Sequence, residues 1–166
     1  IGRFDLQSAE EHAKLVHLHC VLPVALTARL LGPMLARRRG GVVLVSSVGG
    51  YVPMPYYAVY GGTKAFLASW GEALAEELRP RGVDVVVLAP GDTKTGFQDV
   101  AGEMSTRWSS VAEVVEAGLA ALGTRVTAVP GFENKVSVVL SRFLPRSLLV
   151  RLVERRQREQ TPPERR

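Results

Sequence analysis

Two short apolar runs with helix-like segments around them restrict this chain to a small set of folds. The run Val42–Ser46 follows a pair of glycines, and the run Val83–Leu88 leads directly into Ala89-Pro90-Gly91. Continuous apolar runs of this length are typical of parallel strands that are buried on both faces. Strands that alternate with helices form parallel βαβ units with right-handed crossovers. With a third short strand at Val126–Val129, the pattern predicts an α/β fold with about three parallel strands in one sheet.

Helical periodicity predicts the elements that flank this sheet. Ser8 is a candidate N-cap for a helix to about Arg38, within which Pro23 and Pro33 should introduce a kink or shift the boundaries. Further helices are expected at about Ala58–Leu78, at Val111–Leu122 after the cap Ser110, and at about Asn134–Arg156 with an interruption at Pro145. We assign residues 1–156 to one domain and residues 157–166 to a polar, basic and disordered tail.

Composition excludes several classes of function. The chain has 166 residues and is 46% apolar, which suits one packed domain. A single cysteine, Cys20, suits a reducing cytosol, and no His/Cys cluster has the spacing of metal ligands. The net charge of +5 with clustered arginines could indicate nucleic-acid binding, but no aromatic stacking platform accompanies the clusters, so a solvated surface is favoured. The Arg-, Ala- and Gly-rich composition also fits a GC-rich genome, and we expect a bacterial source.

The residues Tyr60 and Lys64 carry the clearest chemical signal. Four residues apart on a helix, they lie on one face, and the ammonium group would sit beside the phenol. A nearby positive charge lowers the pKa of a phenol from about 10 toward the range useful for general acid–base catalysis. Ser47 stands thirteen residues earlier at the end of a predicted strand, the edge where open α/β sheets bind ligands. The alternative is an ordinary amphipathic helix with a core tyrosine and a solvated lysine.

The order of these motifs resembles the short-chain dehydrogenase/reductase family. A strand ending in Ser46-Ser47 precedes the Tyr60–Lys64 helix, and a strand ending in Pro90-Gly91 follows it. The segment Gly91–Phe97 is similar to the Pro-Gly-x-x-x-Thr-x-Phe loop of that family. The resemblance implies the second half of a doubly wound, Rossmann-like fold. The glycine-rich cofactor half would be cut off, because Ile1–Phe4 resembles the residues that follow the Asn-Ala-Gly motif of the family.

The resemblance also implies an activity and a set of site residues. The full protein would transfer a hydride between NAD or NADP and a small carbonyl or alcohol substrate. Tyr60 would be the acid/base, Ser47 would donate to the substrate oxygen, and Lys64 would lower the pKa of the tyrosine and hold the nicotinamide ribose. The residues expected to contact the cofactor are Tyr60, Lys64, Pro90, Gly91, Thr93 and Thr95, and residues 96–109 would form a substrate lid. No metal site is expected.

One family position departs from the pattern. His19 stands where the family has a catalytic Asn that holds a water molecule linked to the lysine. An imidazole can also donate and accept hydrogen bonds, so His19 either substitutes for this Asn or leaves the relay weakened.

Two other functions compete with this one. A non-catalytic remnant or fragment that acts only in assembly would explain the missing phosphate loop. A sugar-nucleotide epimerase or dehydratase would share the Tyr–Lys pair, but the C-terminal region is short for it. For the whole protein, the resemblance implies a homo-oligomer that packs through the long first helix and the Tyr60–Lys64 helix, and we expect it to be cytoplasmic. Contact of the basic segment Val136–Val153 with a membrane surface is the less favoured alternative.

Overall fold

A computed structural model describes residues 2–96 and 109–166 and places three strands in one sheet. The strands are β1 (Gly40–Val45), β2 (Val83–Leu88) and β3 (Thr127–Ala128), all parallel, in the order β1-β2-β3. Among the described residues, the helices are α1 (Ala9–Val16), α2 (Leu22–Ala36), α3 (Ala58–Leu78), α4 (Val111–Ala121), α5 (Phe132–Ser141) and α6 (Arg146–Gln160). The predicted α/β class with three parallel strands is confirmed, and the third strand is two residues shorter than expected.

The central strand β2 forms the core, with helices on both faces of the sheet. Val83, Val86 and Val87 are completely buried. On one face, α2 and α3 pack against a cluster that includes Leu44 and Val85. On the other face, α4 packs against a second cluster that includes Val86. Two covered faces explain why the sequence of β2 is a continuous apolar run rather than an alternating one.

A close approach between α3 and the sheet fixes the position of the Tyr60–Lys64 helix. Gly71 faces the sheet, and a Cβ atom there would lie 2.5 Å from Val87 Cγ2 and 2.8 Å from Leu44 Cδ1. Only a residue without a side chain allows α3 to lie this near to the strands. The first turns of α3 are thereby held beside the carboxyl edge of the sheet.

One face of β1 is open among the described residues. Val43 and Val45 are 36% and 51% exposed, whereas Leu44 between them is 6% exposed. Side chains alternate between the two faces of a strand, so Leu44 faces α3 while its neighbours face the other side. There α4 covers β2 without reaching Val43 and Val45.

The first long helix runs from Ala9 to Ala36 and contains a widened turn. The residues His17–Val21 form a π-helical turn, in which the N–H of Leu22 donates to the carbonyl oxygen of His17. Pro23 follows at once; it has no N–H, and its ring would clash with a regularly placed carbonyl. The expected proline disturbance thus takes the form of a wide turn rather than a break. By length and composition alone, this 28-residue helix could cross a membrane, a property that core helices of soluble proteins share.

The C-terminal region contains two helices, and the second one is longer than predicted. Pro145 separates α5 from α6, as expected. The helix α6 continues to Gln160, four residues into the segment assigned to the polar tail, and both Gln157 and Thr161 are buried. The Thr161 hydroxyl donates to the Gln157 carbonyl oxygen at 2.7 Å, which satisfies a carbonyl group of the last helical turn.

Candidate active site

The carboxyl end of β1 provides two serines with different surroundings. Ser46 is buried, and its hydroxyl donates to the carbonyl oxygen of Lys64 at 2.7 Å. Ser47 Oγ accepts from the N–H of Gly49 at 3.1 Å and lies 3.5 Å from the Pro90 carbonyl oxygen. A hydroxyl–oxygen distance of 3.5 Å is well beyond the usual 2.7–2.8 Å, so this contact holds the Ser47 proton weakly. Ser46 thus ties β1 to α3, whereas the hydroxyl of Ser47 can turn toward another acceptor.

Tyr60 and Lys64 lie together on α3, as their spacing predicts. Lys64 Nζ lies 5.6 Å from the centroid of the Tyr60 ring, within the range of a cation–π contact. The same Nζ donates to the carbonyl oxygen of Val45 at 2.9 Å. The lysine side chain is 9% exposed. A strand carbonyl therefore anchors the ammonium group beside the tyrosine.

His19 reaches this pair from the widened turn of the first helix. Its Nδ1 lies 3.0 Å from Thr63 Oγ1, and its ring meets the Tyr60 ring edge-to-face at 5.8 Å. The Thr63 hydroxyl in turn donates to the carbonyl oxygen of Tyr60 at 2.8 Å. The structure therefore brings His19, Tyr60 and Lys64 into one cluster, although 41 residues separate the first two in the sequence.

Burial sets the charge states within this cluster. It lowers the pKa of Lys64 to about 8. Burial and then the charge of Lys64 lower the pKa of His19 to about 4. Burial also raises the pKa of the Cys20 thiol, which the nearby ammonium partly counteracts. At neutral pH the cluster therefore holds one positive charge, on Lys64, beside a neutral imidazole and a neutral thiol.

The loop after β2 places the expected cofactor residues beside Ser47. The N–H of Val48 donates to the Pro90 carbonyl oxygen at 3.0 Å. The hydroxyl of Thr93 donates to the Gly91 carbonyl oxygen at 3.0 Å. A Cβ atom at Gly91 would lie 2.6 Å from the side chain of Asn134, so a larger residue there would collide with α5. Thr95 is exposed, and residues 97–108, which form most of the expected lid, lie outside the described residues.

Sequence reasoning missed three participants in this cluster. Thr63 bonds both His19 and Tyr60, and its place inside the Tyr60–Lys64 motif was the signal that could have drawn attention to it. The Val45 carbonyl that anchors Lys64 is a backbone group, so no residue pattern reveals it. Cys20 was interpreted as a small apolar residue, and only the folded chain shows it within electrostatic reach of Lys64.

Comparison with curated proteins identifies fungal reductases as relatives. Very-long-chain 3-oxoacyl-CoA reductases from Pyricularia oryzae and Aspergillus terreus are 44% identical over 77 residues and 39% identical over 85 residues. These matches cover 46% and 51% of this chain but only 23% and 24% of the relatives. The chain thus matches about a quarter of the length of these relatives. Because they are fungal, they do not support the expected bacterial source.

Solved structures give the same fold. A short-chain dehydrogenase from Streptomyces avermitilis has a TM-score of 0.76 and 27% identity, over 86% of this chain and 61% of that one. A 7beta-hydroxysteroid dehydrogenase has a TM-score of 0.78 and 26% identity, over 92% of this chain and 62% of that one. A Sphingobium yanoikuyae short-chain dehydrogenase in complex with NADPH has a TM-score of 0.75 and 26% identity, over 86% of this chain and 58% of that one.

The family is settled by a match over most of the chain. The family model described as short chain dehydrogenase matches residues 2–106, more than half of the sequence. These residues include Ser47, Tyr60, Lys64 and the loop that begins at Pro90. The chain belongs to the short chain dehydrogenase family.

Proposed function

We propose that this chain carries the acid–base half of an oxidoreductase that transfers a hydride between a nicotinamide cofactor and a carbonyl or alcohol substrate. The observation that carries the proposal is the buried Lys64 ammonium, fixed by the Val45 carbonyl 5.6 Å from the Tyr60 ring centroid. The reductase and dehydrogenase names of the relatives favour this function over a role in assembly alone.

In this proposal Lys64 provides a positive charge and Tyr60 transfers the proton. With a pKa of about 8, Lys64 stays mostly protonated at pH 7, so a positive charge faces the phenol. That charge favours the phenolate and brings the acidity of Tyr60 closer to the working pH. Tyr60 would release its proton to the substrate oxygen in reduction and accept it in oxidation.

Ser47 would hold the substrate oxygen during this transfer. Its hydroxyl is weakly engaged by Pro90, and Gly49 donates to its oxygen. Redirecting the proton to a substrate oxygen therefore sacrifices little and stabilises the alkoxide that develops there.

The residues present fit the nicotinamide side of NAD or NADP. An ammonium has three N–H donors. Lys64 uses one of them for the Val45 carbonyl oxygen, so the other two would be available to the ribose hydroxyls. Pro90, Gly91, Thr93 and Thr95 would line the nicotinamide and the adjoining phosphate through backbone groups and the Thr95 hydroxyl. The nicotinamide itself supplies the hydride acceptor or donor. A glycine-rich phosphate turn does not occur in this sequence, so we assign to these residues only the nicotinamide half.

The test uses this chain completed with the glycine-rich half of the family fold, here termed the completed protein. Tyr60→Phe removes the phenolic proton and keeps the ring, so kcat should fall by roughly 10²–10⁴. Tyr51→Phe is the matched control, because the Tyr51 hydroxyl bonds Glu72 elsewhere on α3, and its kcat should stay within about twofold of the parent. Unchanged turnover in Tyr60→Phe would remove the acid–base assignment.

We also propose that the complete protein is a cytoplasmic homo-oligomer. The long first helix exposes a row of apolar residues, among them Leu18, Leu22, Leu26 and Leu30, and a second subunit packing there would bury them. Sedimentation of the completed protein should give a dimer or larger species. Recovery with liposomes would instead favour the membrane-surface alternative for Val136–Val153.

A further inference from the structure

A cavity of about 420 Å³ opens beside Tyr60 among the described residues. The N-terminal segment, α1, the loop before α3 and the first turn of α3 surround it. The wall is predominantly apolar and aromatic, with Phe4, Leu15, Pro55, Tyr57, Val59 and Tyr60 among its members. Its volume lies within the roughly 300–1,000 Å³ that small-molecule sites occupy.

The charged residues around the cavity are paired with one another. Arg3 and Asp5 form an exposed ion pair at 2.6 Å. Glu154, which α6 contributes to the wall, accepts from the Tyr56 hydroxyl at 3.1 Å and contacts Arg158 at 3.2 Å. An anionic ligand would need to displace these partners. The cavity thus offers apolar contact and no ready counter-charge.

Hydrogen bonds also hold the part of the cavity wall around Tyr56. Tyr56 is held on both sides, because Arg158 Nε donates to its hydroxyl at 3.2 Å and its carbonyl oxygen accepts from the N–H of Gly2 at 2.9 Å. The N–H of Arg3 donates to the carbonyl oxygen of Arg165 at 2.9 Å. The N-terminal segment is thereby joined to the C-terminal segment and to the loop before α3, and hydrogen bonds fix this part of the cavity wall.

We infer that this cavity receives the apolar body of a neutral, bulky or long-chain ketone, or of the corresponding secondary alcohol, with the reacting oxygen directed to Tyr60. The inference rests on the proposed function, since it places the substrate of the same site. A water molecule needs only about 10–15 Å³ of such space, so the cavity has room for many of them. A small ketone would displace only some of these water molecules, whereas a long or bulky one would displace most. A carboxylate would lose hydration without gaining a counter-charge.

Calorimetric titration of this chain with three probes tests the inference directly. We expect methyl octyl ketone to bind at least tenfold more tightly than methyl ethyl ketone, since each methylene that leaves water adds to the affinity. We also expect it to bind at least tenfold more tightly than decanoate. Equal affinities for the long ketone and decanoate, or for the long and short ketones, would overturn the inference.

Matched variants locate the binding to this cavity. Leu15→Trp adds bulk to the wall and should weaken binding of methyl octyl ketone at least tenfold. Leu119→Trp, on α4, 62% exposed and outside the wall, should change it less than twofold. Phe4→Ala guards against misfolding of the tryptophan variant, because Phe4 is 62% exposed; it should weaken binding at least threefold. Equal behaviour of the Leu15 and Leu119 variants, with no effect of Phe4→Ala, would place the ketone elsewhere.

Failure of this inference and failure of the proposed function give different results. If the long ketone binds as expected but the completed protein with NADPH or NADH does not reduce it, the proposed function fails and the cavity assignment stands. If the completed protein reduces methyl ethyl ketone more efficiently than methyl octyl ketone, by kcat/KM, the function stands and the cavity assignment fails.

Discussion

The hydrogen bond between His19 Nδ1 and Thr63 Oγ1, 3.0 Å long, has a direction that a third group fixes. A hydroxyl has one proton, and Thr63 gives its proton to the Tyr60 carbonyl oxygen. Thr63 must therefore accept from His19, which makes the imidazole the Nδ1–H tautomer and leaves Nε2 as an acceptor.

This tautomer makes a prediction for nuclear magnetic resonance and for acid stability. The ¹⁵N shifts of His19 should report a neutral Nδ1–H ring that titrates at about 4 rather than near 6.5. Between these values the unfolded chain binds a proton that the folded chain does not, so the free energy of unfolding should fall as the pH drops from 6.5 toward 4. His19→Asn should lack this part of the pH dependence. An Nε2–H ring, or titration near 6.5, would contradict the assignment.

Lys64 predicts a second window of pH dependence. Its pKa falls from 10.5 to about 8 on folding, so between these values the unfolded chain retains a proton that the folded chain has lost. The free energy of unfolding should therefore rise as the pH increases from 8 to 10.5, by about 3 kcal/mol at most. Urea denaturation of the parent and of Lys64→Met across this range isolates the contribution. If the free energy of unfolding rises equally with pH in both proteins, the buried Lys64 ammonium is not the source of this pH dependence.

The two neighbouring serines should separate stability from catalysis. Ser46→Ala leaves the buried Lys64 carbonyl oxygen without its hydroxyl donor, so the free energy of unfolding should fall by about 1–3 kcal/mol. Ser47→Ala removes the acceptor of the Gly49 N–H and should lower the free energy of unfolding by about 0.5–1 kcal/mol, but it should lower kcat of the completed protein by roughly 10²–10³. Denaturation and steady-state kinetics on both variants check this contrast. A reversed pattern would exchange the two roles.

Two glycines of α3 should respond in opposite directions to alanine. Gly62 is exposed, and a Cβ atom there would have no neighbour within 4 Å, so Gly62→Ala should stabilise the chain by up to about 1 kcal/mol through helix propensity. Gly71→Ala would press against Val87 and Leu44 and should destabilise it by about 1–3 kcal/mol. Midpoints of urea denaturation compare the two. Similar shifts of the urea midpoint for both variants would mean that α3 lies farther from the sheet than the distances at Gly71 indicate.

The sequence predicted those features that repeat along the chain or occupy fixed positions in a motif. The apolar runs predicted β1 and β2, and the run of β2 is continuous because both faces of that strand are covered. The i, i+4 spacing predicted that Lys64 lies beside Tyr60. The caps Ser8 and Ser110 were predicted correctly, and each forms a capping box, with Glu11 and Glu113.

Features that depend on contacts between distant segments could not be predicted in this way. The Val45 carbonyl that holds Lys64 belongs to the backbone. The contact of Glu154 with Tyr56 joins residues 98 positions apart, and neither residue stands in a recognisable motif. The helical continuation to Gln160 follows from burial of Gln157 and Thr161, which their polar side chains did not suggest.

The wide turn at His17–Val21 holds one residue more than a regular helical turn. A regular helix closes each turn with a hydrogen bond between residues four apart, whereas here the N–H of Leu22 reaches the carbonyl oxygen of His17, five residues back. The turn takes up this extra residue, so the segments before and after it remain aligned as one long helix. Leu15 can therefore face the cavity while α2 keeps its place on the sheet. The extra residue is accommodated in the same turn that carries His19 to Thr63, so a single insertion in an otherwise regular helix supplies a polar group at the site.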